Sequence, residues 1–148
     1  MRRAAIIGWI VFAICAAATP VAAQRAPEPQ ALAAFAERLG LRDAAGFAEA
    51  VQSVRADRRL PPRYVTKGQA RAHGWHGGGL CTIWPGHVIG GDVMRNFGGK
   101  LPDAPGRYFY EADLDSNCQS RGPKRLVFSS DGLIFITTDH YNSFTPVP

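Results

Sequence analysis

Along the chain the apolar positions change period once, from helical spacing to strand spacing. Phe47, Ala50, Val51 and Val54 fall at i, i+3, i+4 and i+7, which is one face of a helix. Asp43 is placed to cap its start, and Leu60-Pro61-Pro62 stops it. An Ala-rich stretch, residues 31–39, predicts a helix before it, ended by Gly40. Thr66 and Gln69 are spaced as a capping box, so a short helix is expected to run to about His73 and end at Gly74. Beyond a Gly77-Gly78-Gly79 loop the pattern shortens. Residues 88–94 read as a strand broken at Gly90-Gly91. In residues 108–114, Tyr108, Tyr110, Ala112 and Leu114 alternate with Phe109, Glu111 and Asp113. Leu126–Phe128 and Leu133–Ile136 flank Ser129-Ser130-Asp131-Gly132, a hairpin signal whose Asp-Gly pair predicts a type I′ turn with both central residues at positive φ. Residues 144–147 suit a short edge strand. Residues 95–106 and 115–122 read as loops, and no internal repeat is visible. Helices first and antiparallel strands afterwards predict an α+β fold.

The N-terminal residues stand outside this pattern. Arg2 and Arg3 precede an apolar run over residues 6–18, and Val21-Ala22-Ala23 is a small-residue cleavage site. That combination predicts a secretory signal peptide over residues 1–23, too short for a membrane span. The mature form is then expected outside the cytoplasm, extracellular or periplasmic, with no membrane segment. Residues 24–30, QRAPEPQ, read as a flexible linker. Residues 24–42 thus make a linker and an additional helix, and residues 43–148 one domain. Loss of the leader would remove two of the arginines behind the +5 formal charge, leaving a mildly basic protein compatible with a polyanionic partner. It would also remove Cys15. Cys81 and Cys118, the remaining two of three cysteines, then read as a disulfide in an oxidising compartment.

Polar groups at the ends of the hairpin are more than packing requires. Arg121, Lys124 and Arg125 enter its first strand, and Thr137, Thr138, Asp139, His140 and Tyr141 leave its second. Glu111 sits mid-strand among aromatics, where a carboxylate is costly unless paired. Arg121 and Arg125 are its expected partners across neighbouring strands. A carboxylate, a histidine and several cations on one sheet face suit RNA cleavage without a metal, through a general base, a general acid and a phosphate clamp.

The motifs YVTKGQARAHGW at 64–75, IGGDV at 89–93, GKLP at 99–102, EAD at 111–113, the spaced Arg121 and Arg125, SSDGLIF at 129–135 and TTDHY at 137–141 occur in an order and spacing that resemble the secreted bacterial ribonucleases of the barnase and binase type. The resemblance runs from about residue 45 to the C-terminus. It implies that Glu111 is the general base that deprotonates the ribose 2′-OH. It implies equally that His140 is the general acid for the 5′-oxygen, with a 2′,3′-cyclic phosphate as intermediate. Lys67, Arg121 and Arg125 match the cations around the scissile phosphate, and Tyr141 an aromatic of the nucleotide site. No cofactor is implied. RNA is the implied substrate, a monomer the implied state, and an acidic inhibitor of the barstar type an expected partner. The segment that reads guanine in such proteins corresponds to residues 94–98. Arg95, Asn96 and Phe97 are therefore substrate-binding candidates. Phe97 and Gly98, however, stand where the pattern has an arginine and the base-reading glutamate, so a relaxed guanine preference is expected.

Two other readings compete. His73, His76, Cys81 and His87 cluster in the chain, but their spacing matches no closed zinc pattern and the cysteine is better used in a disulfide. A non-catalytic RNA-binding module on the same fold is the alternative to an enzyme, and retention of both Glu111 and His140 argues against it. Asp92, Asp113 and Asp131 are expected to serve turn, strand and loop pairing.

Overall fold

In the computed structural model, which describes residues 28–148, two N-terminal helices pack on one face of a six-stranded sheet and leave the other face to carry charge. Helix α1 (Glu28–Arg38) begins inside the segment expected to be a linker; the proline at 29 sits in its first turn, where a missing N–H costs nothing. The leader itself lies outside the described residues. Helix α2 (Ala44–Asp57) has the expected cap: the Asp43 carboxylate accepts from Gly46 N at 2.8 Å. A Cβ at Gly46 would meet that carboxylate at 2.1 Å, so the residue must stay glycine for the cap to form. Helix α2 ends at Arg58, which adopts φ 58°, before the prolines are reached.

The apolar face of α2 lies on the sheet. Phe47, Val51 and Val54 pack with Ala112, Leu114, Leu126, Phe128, Ile134 and Ile136, and Leu32 and Ala36 of α1 belong to the same cluster. The N-terminal helix is thus part of the main core and covers a side of α2 that the sheet cannot reach.

The sheet runs β1 (Tyr64–Val65), β2 (Val88–Met94), β3 (Phe109–Asp113), β4 (Arg125–Ser129), β5 (Ile134–Thr137) and β6 (Thr145–Pro146), in sequence order. All neighbours are antiparallel except β1 and β2, which are parallel. Strand β1 was not foreseen. Two residues carry no periodicity, and Tyr64 and Val65 are extended because they pair with Val88 and Ile89. The capping box forms on both sides and starts α3 (Lys67–Ala72), whose Ala70 joins Val65, Trp75, Leu80 and Ile89 in a small second cluster.

The hairpin turn differs from the expected type I′. Gly132 alone has positive φ among its residues, and Gly132 N donates to Ser129 O at 3.2 Å. A three-residue loop of type I plus a left-handed glycine results. The Ser129 hydroxyl fixes it, accepting from Leu133 N and donating to Asp131. The disulfide between Cys81 and Cys118 is present, with Cα atoms 4.8 Å apart, and joins the loop before β2 to the loop before β4. The two loops touch closely: a Cβ at Gly79 would lie 1.8 Å from Asn117 O.

Candidate active site

The alternation of β3 decides what faces the helices and what does not. Tyr110 and Ala112 go to the core, while Phe109, Glu111 and Asp113 go to the opposite face. Register then sets their neighbours. Glu111 lies opposite Val127, and Asp113 lies opposite Arg125, which in turn lies opposite Thr137 on β5. The expected pairing of Glu111 with Arg121 and Arg125 is therefore not made. Both arginines go to Asp113: Arg121 clamps it with Nε and Nη2 at 2.8 Å each, and Arg125 Nε lies 3.0 Å from Oδ1. Arg125 is 3% exposed and Asp113 is 1% exposed, so this is a buried ion pair joined from the surface by the partly exposed Arg121. Burial pushes the Asp113 carboxyl up, opposed by Arg121 and Arg125, and the same contact raises Arg121. The Arg125 guanidinium is held further by carbonyls, Nη1 donating to Gly122 O at 2.8 Å and Lys124 O at 2.7 Å.

Glu111 finds its partners elsewhere. Lys67, at the first position of α3, donates to Oε1 at 2.7 Å. The Tyr141 hydroxyl donates to Oε2 at 2.6 Å. Burial pushes the Glu111 carboxyl up, but the Lys67 and Tyr141 hydrogen bonds and the charges of Lys67 and Arg121 outweigh it, and the net direction is down. Tyr141 is pushed up to about 12, by burial first and by Glu111 second, so its phenol remains a neutral donor. Lys67 is oriented by its own backbone, whose N–H donates to Asp92 at 2.9 Å. A β-bulge beside Asp92 shapes this corner: Gly90 lies opposite Ala112 and Asp92 opposite Glu111, with Gly91 inserted at φ 94°.

His140 and Tyr141 leave β5 in a sharp turn with φ of 57° and 69°. Asp139 organises that turn, accepting from Ser143 N and Oγ and from Thr137 Oγ1, contacts that lower its carboxyl to about 2. Thr137 Oγ1 also accepts from Tyr141 N at 3.0 Å. His140 N donates to Pro123 O at 3.2 Å, tying the turn to the loop that carries Arg121. The His140 ring is exposed and lies 5.0 Å, centroid to centroid, from that of Tyr141.

A cleft of about 660 Å³ opens beside these groups, with Glu111, Tyr141 and Phe144 on one side and Arg95, Asn96 and Phe97 on the other. Phe97 is 78% exposed at its lip. The Asn96 side chain is not free for a ligand as expected: it donates to Leu101 O at 2.9 Å and accepts from Leu101 N at 3.1 Å, closing its own loop. Backbone groups of that loop remain. Gly98 has φ 78° and open space where a Cβ would be. Asp113, expected from the sequence to serve strand pairing, does so with Arg121 and Arg125. One further residue was passed over. Lys100 donates to Tyr141 O and Asn142 O at 3.1 and 3.0 Å and bridges the two sides of the cleft, which no local pattern announces. Of the residues in the competing metal reading, His73 stacks on Trp84 at 3.9 Å, His87 lies tilted against the same ring at 4.2 Å, and Cys81 is in the disulfide.

A family profile described as ribonuclease matches residues 48–148. The chain belongs to the ribonuclease family. Among ribonuclease relatives, those of Bacillus intermedius and Bacillus pumilus are each 50% identical over 92 residues, 61% of this chain and 57% of theirs. The chain thus spans somewhat over half the length of these relatives. The ribonuclease of Heyndrickxia coagulans is 49% identical over 92 residues, 84% of its length. The guanyl-specific ribonuclease St of Saccharopolyspora erythraea is 38% identical over 55 residues, 36% of this chain and 54% of the relative. The family match begins within α2, so α1 lies outside it.

Proposed function

We propose that this chain is a secreted endoribonuclease that cuts single-stranded RNA by transesterification through a 2′,3′-cyclic phosphate, without a metal. The observation that carries the reading is Glu111: a buried carboxylate lining a cleft, held ionised by Lys67 and Tyr141, with His140 one residue from Tyr141. Both carboxylate oxygens already accept a hydrogen bond. Substrate binding has the ribose 2′-OH take the place of one donor, so that Glu111 accepts its proton as the oxygen attacks phosphorus. His140 gives a proton to the departing 5′-oxygen. Water then opens the cyclic phosphate with the two roles exchanged. Arg121 and Arg125 share one carboxylate, that of Asp113. The triad therefore keeps a net positive charge for the phosphate, and that charge matters most as the transition state gathers negative charge. The disulfide supports an oxidising compartment for the mature protein.

Base choice follows from the loop opposite. The relatives include a guanyl-specific enzyme. Here Gly98 supplies no carboxylate to accept from guanine N1–H and the 2-amino group, and exposed Phe97 offers a face that every base can use. Cleavage after guanosine is retained through backbone groups, with weaker discrimination. The test is the purified mature protein with RNA and with DNA, with and without chelator, followed by kcat/KM on four dinucleotides differing in the 5′ base. RNA cut, DNA intact and indifference to chelator are expected, with guanine favoured only modestly. Cleavage that disappears with chelator would overturn the mechanism, and a sharp guanine preference would mean that another carboxylate does the reading.

A further inference from the structure

A second cleft, of about 720 Å³, lies on the helix side of the sheet, behind the face that carries Glu111. Its volume is in the range of roughly 300–1,000 Å³ usual for small-molecule sites. The floor is aromatic. Tyr110, half-buried, stacks on Phe128 with centroids 5.5 Å apart, and the Tyr64 ring stands beside them. The rim is basic. Arg58 and Arg59 are exposed, and among the described residues neither has a carboxylate partner. No acidic residue lines the cleft. The nearest one in the hairpin turn, Asp131, is already held by Arg107 through Nε at 2.9 Å and Nη2 at 2.6 Å.

Arg58 is not a wandering surface cation. Its Nη1 donates to Val54 O and Arg55 O, both at 3.3 Å, at the open end of α2. Its Nη2 lies over Gly132, within 2.7 Å of where a Cβ would stand, so the hairpin turn gives the guanidinium room by having no side chain there. The guanidinium is thereby fixed across the mouth of the cleft with N–H groups left over. Facing it is Ser130, whose backbone N–H is spent on Tyr108 O.

We propose that this cleft is a second nucleotide-binding site, in which a base lies on the aromatic floor and its phosphate is held by Arg58 and Arg59. The combination selects the ligand class. An inorganic anion has no use for the rings, and an apolar ligand has no use for two unpaired guanidiniums. Single-strand binding sites join these same two elements, a cationic edge and a ring on which any base can stack. Base identity is not read, because the floor offers faces and no pattern of donors and acceptors. The choice of a nucleotide rests on the reading of the chain as an RNA-handling protein, but the site needs nothing from Glu111 or His140.

The test is a titration of adenosine 5′-monophosphate, which the enzyme cannot cut, into the isotopically labelled full chain, followed by amide chemical shifts. Saturable shifts at residues 58–60 and 128–130 are expected, separate from any at the first cleft. Arg58→Asn with Arg59→Ala keeps a residue that tolerates the left-handed backbone at 58, and should weaken this set about tenfold, the effect of losing charge-assisted contacts to a phosphate. Amides around Glu111 and Tyr141 should be unmoved by the substitutions, which also reports that the variant is folded. Tyr110→Leu, which removes a ring that lines the cleft and keeps apolar bulk in its place, should weaken the nucleotide and leave inorganic phosphate unaffected. No saturable shift at 58–60 and 128–130 overturns the site. Equal affinity for inorganic phosphate and the nucleotide overturns its nucleotide character. RNA cleavage with no second set sinks this inference alone; a second set in a protein that does not cut RNA sinks the enzymatic reading alone.

Discussion

Glu111 shows how one side chain is tuned by others far away in the chain. Its partners are Lys67 and Tyr141, 44 and 30 residues distant. Because its carboxyl is held below the usual value, the stability it contributes is full above the ordinary carboxylate range. That stability is lost as pH falls through the lowered folded-state value. The acid limb of the kcat/KM profile should accordingly lie below the ordinary glutamate range. Lys67→Ala removes the ammonium hydrogen bond that most opposes the effect of burial, so the acid limb should move to higher pH, with kcat/KM down by about ten- to a hundredfold. A pH–rate profile of this variant checks the sign, and an unmoved limb would mean that Lys67 does not set the Glu111 charge. Glu111→Ala and His140→Ala should each reduce kcat far more than they raise KM.

At the scale of elements, register is what distributes the charges. Asp113 is the shared anchor of two guanidiniums on β4 and the preceding loop. Asp113→Asn would leave Arg121 and Arg125 without a counter-charge inside the protein. A loss of about 3–5 kcal/mol is expected for breaking a buried pair on one side, read by denaturant unfolding. Much of this level was legible in the sequence. The alternation over residues 108–114 names the two faces of β3, because side-chain direction in a strand is a local property. The capping box at Thr66 and Gln69 is local in the same way. What was not legible depends on distant chain. Strand β1 exists only through Val88 and Ile89, and the arginine pairing follows from Asp113, not Glu111, lying opposite Arg125. The turn at 129–132 departs from type I′ because the Ser129 hydroxyl binds Asp131 and Leu133 N, contacts that an Asp-Gly count does not contain. Asn96 looked like a ligand group because nothing in its sequence shows that Leu101 takes its amide on both sides.

For the whole molecule, stability rests on two additions to the sheet and α2. One is α1, whose Leu32 is 2% exposed against the main core. Its first turn is fastened through Arg55, which pairs with Glu28 and also donates to Pro148 O. Leu32→Ala should cost about 2–5 kcal/mol by the cavity it leaves, with kcat at low temperature unchanged, since α1 lies across the core from Glu111. Thermal melts and assays at two temperatures would check both halves. The other is the Cys81–Cys118 bridge, which closes a separation of 37 residues. Replacing both cysteines by serine should lower stability by roughly 3–4 kcal/mol, measured by urea unfolding.

The turn at His140 has an evolutionary consequence. Two successive non-glycine residues sit there with φ of 57° and 69°, a conformation that costs an L-residue roughly 1–2 kcal/mol. The His140 ring makes no hydrogen bond among the described residues that would repay this. Selection for thermal robustness alone would therefore drive the position toward glycine or asparagine. A His140→Gly chain should melt at or above the parent temperature while losing catalysis, so a library screened only for heat resistance would be enriched in dead enzymes changed at this residue.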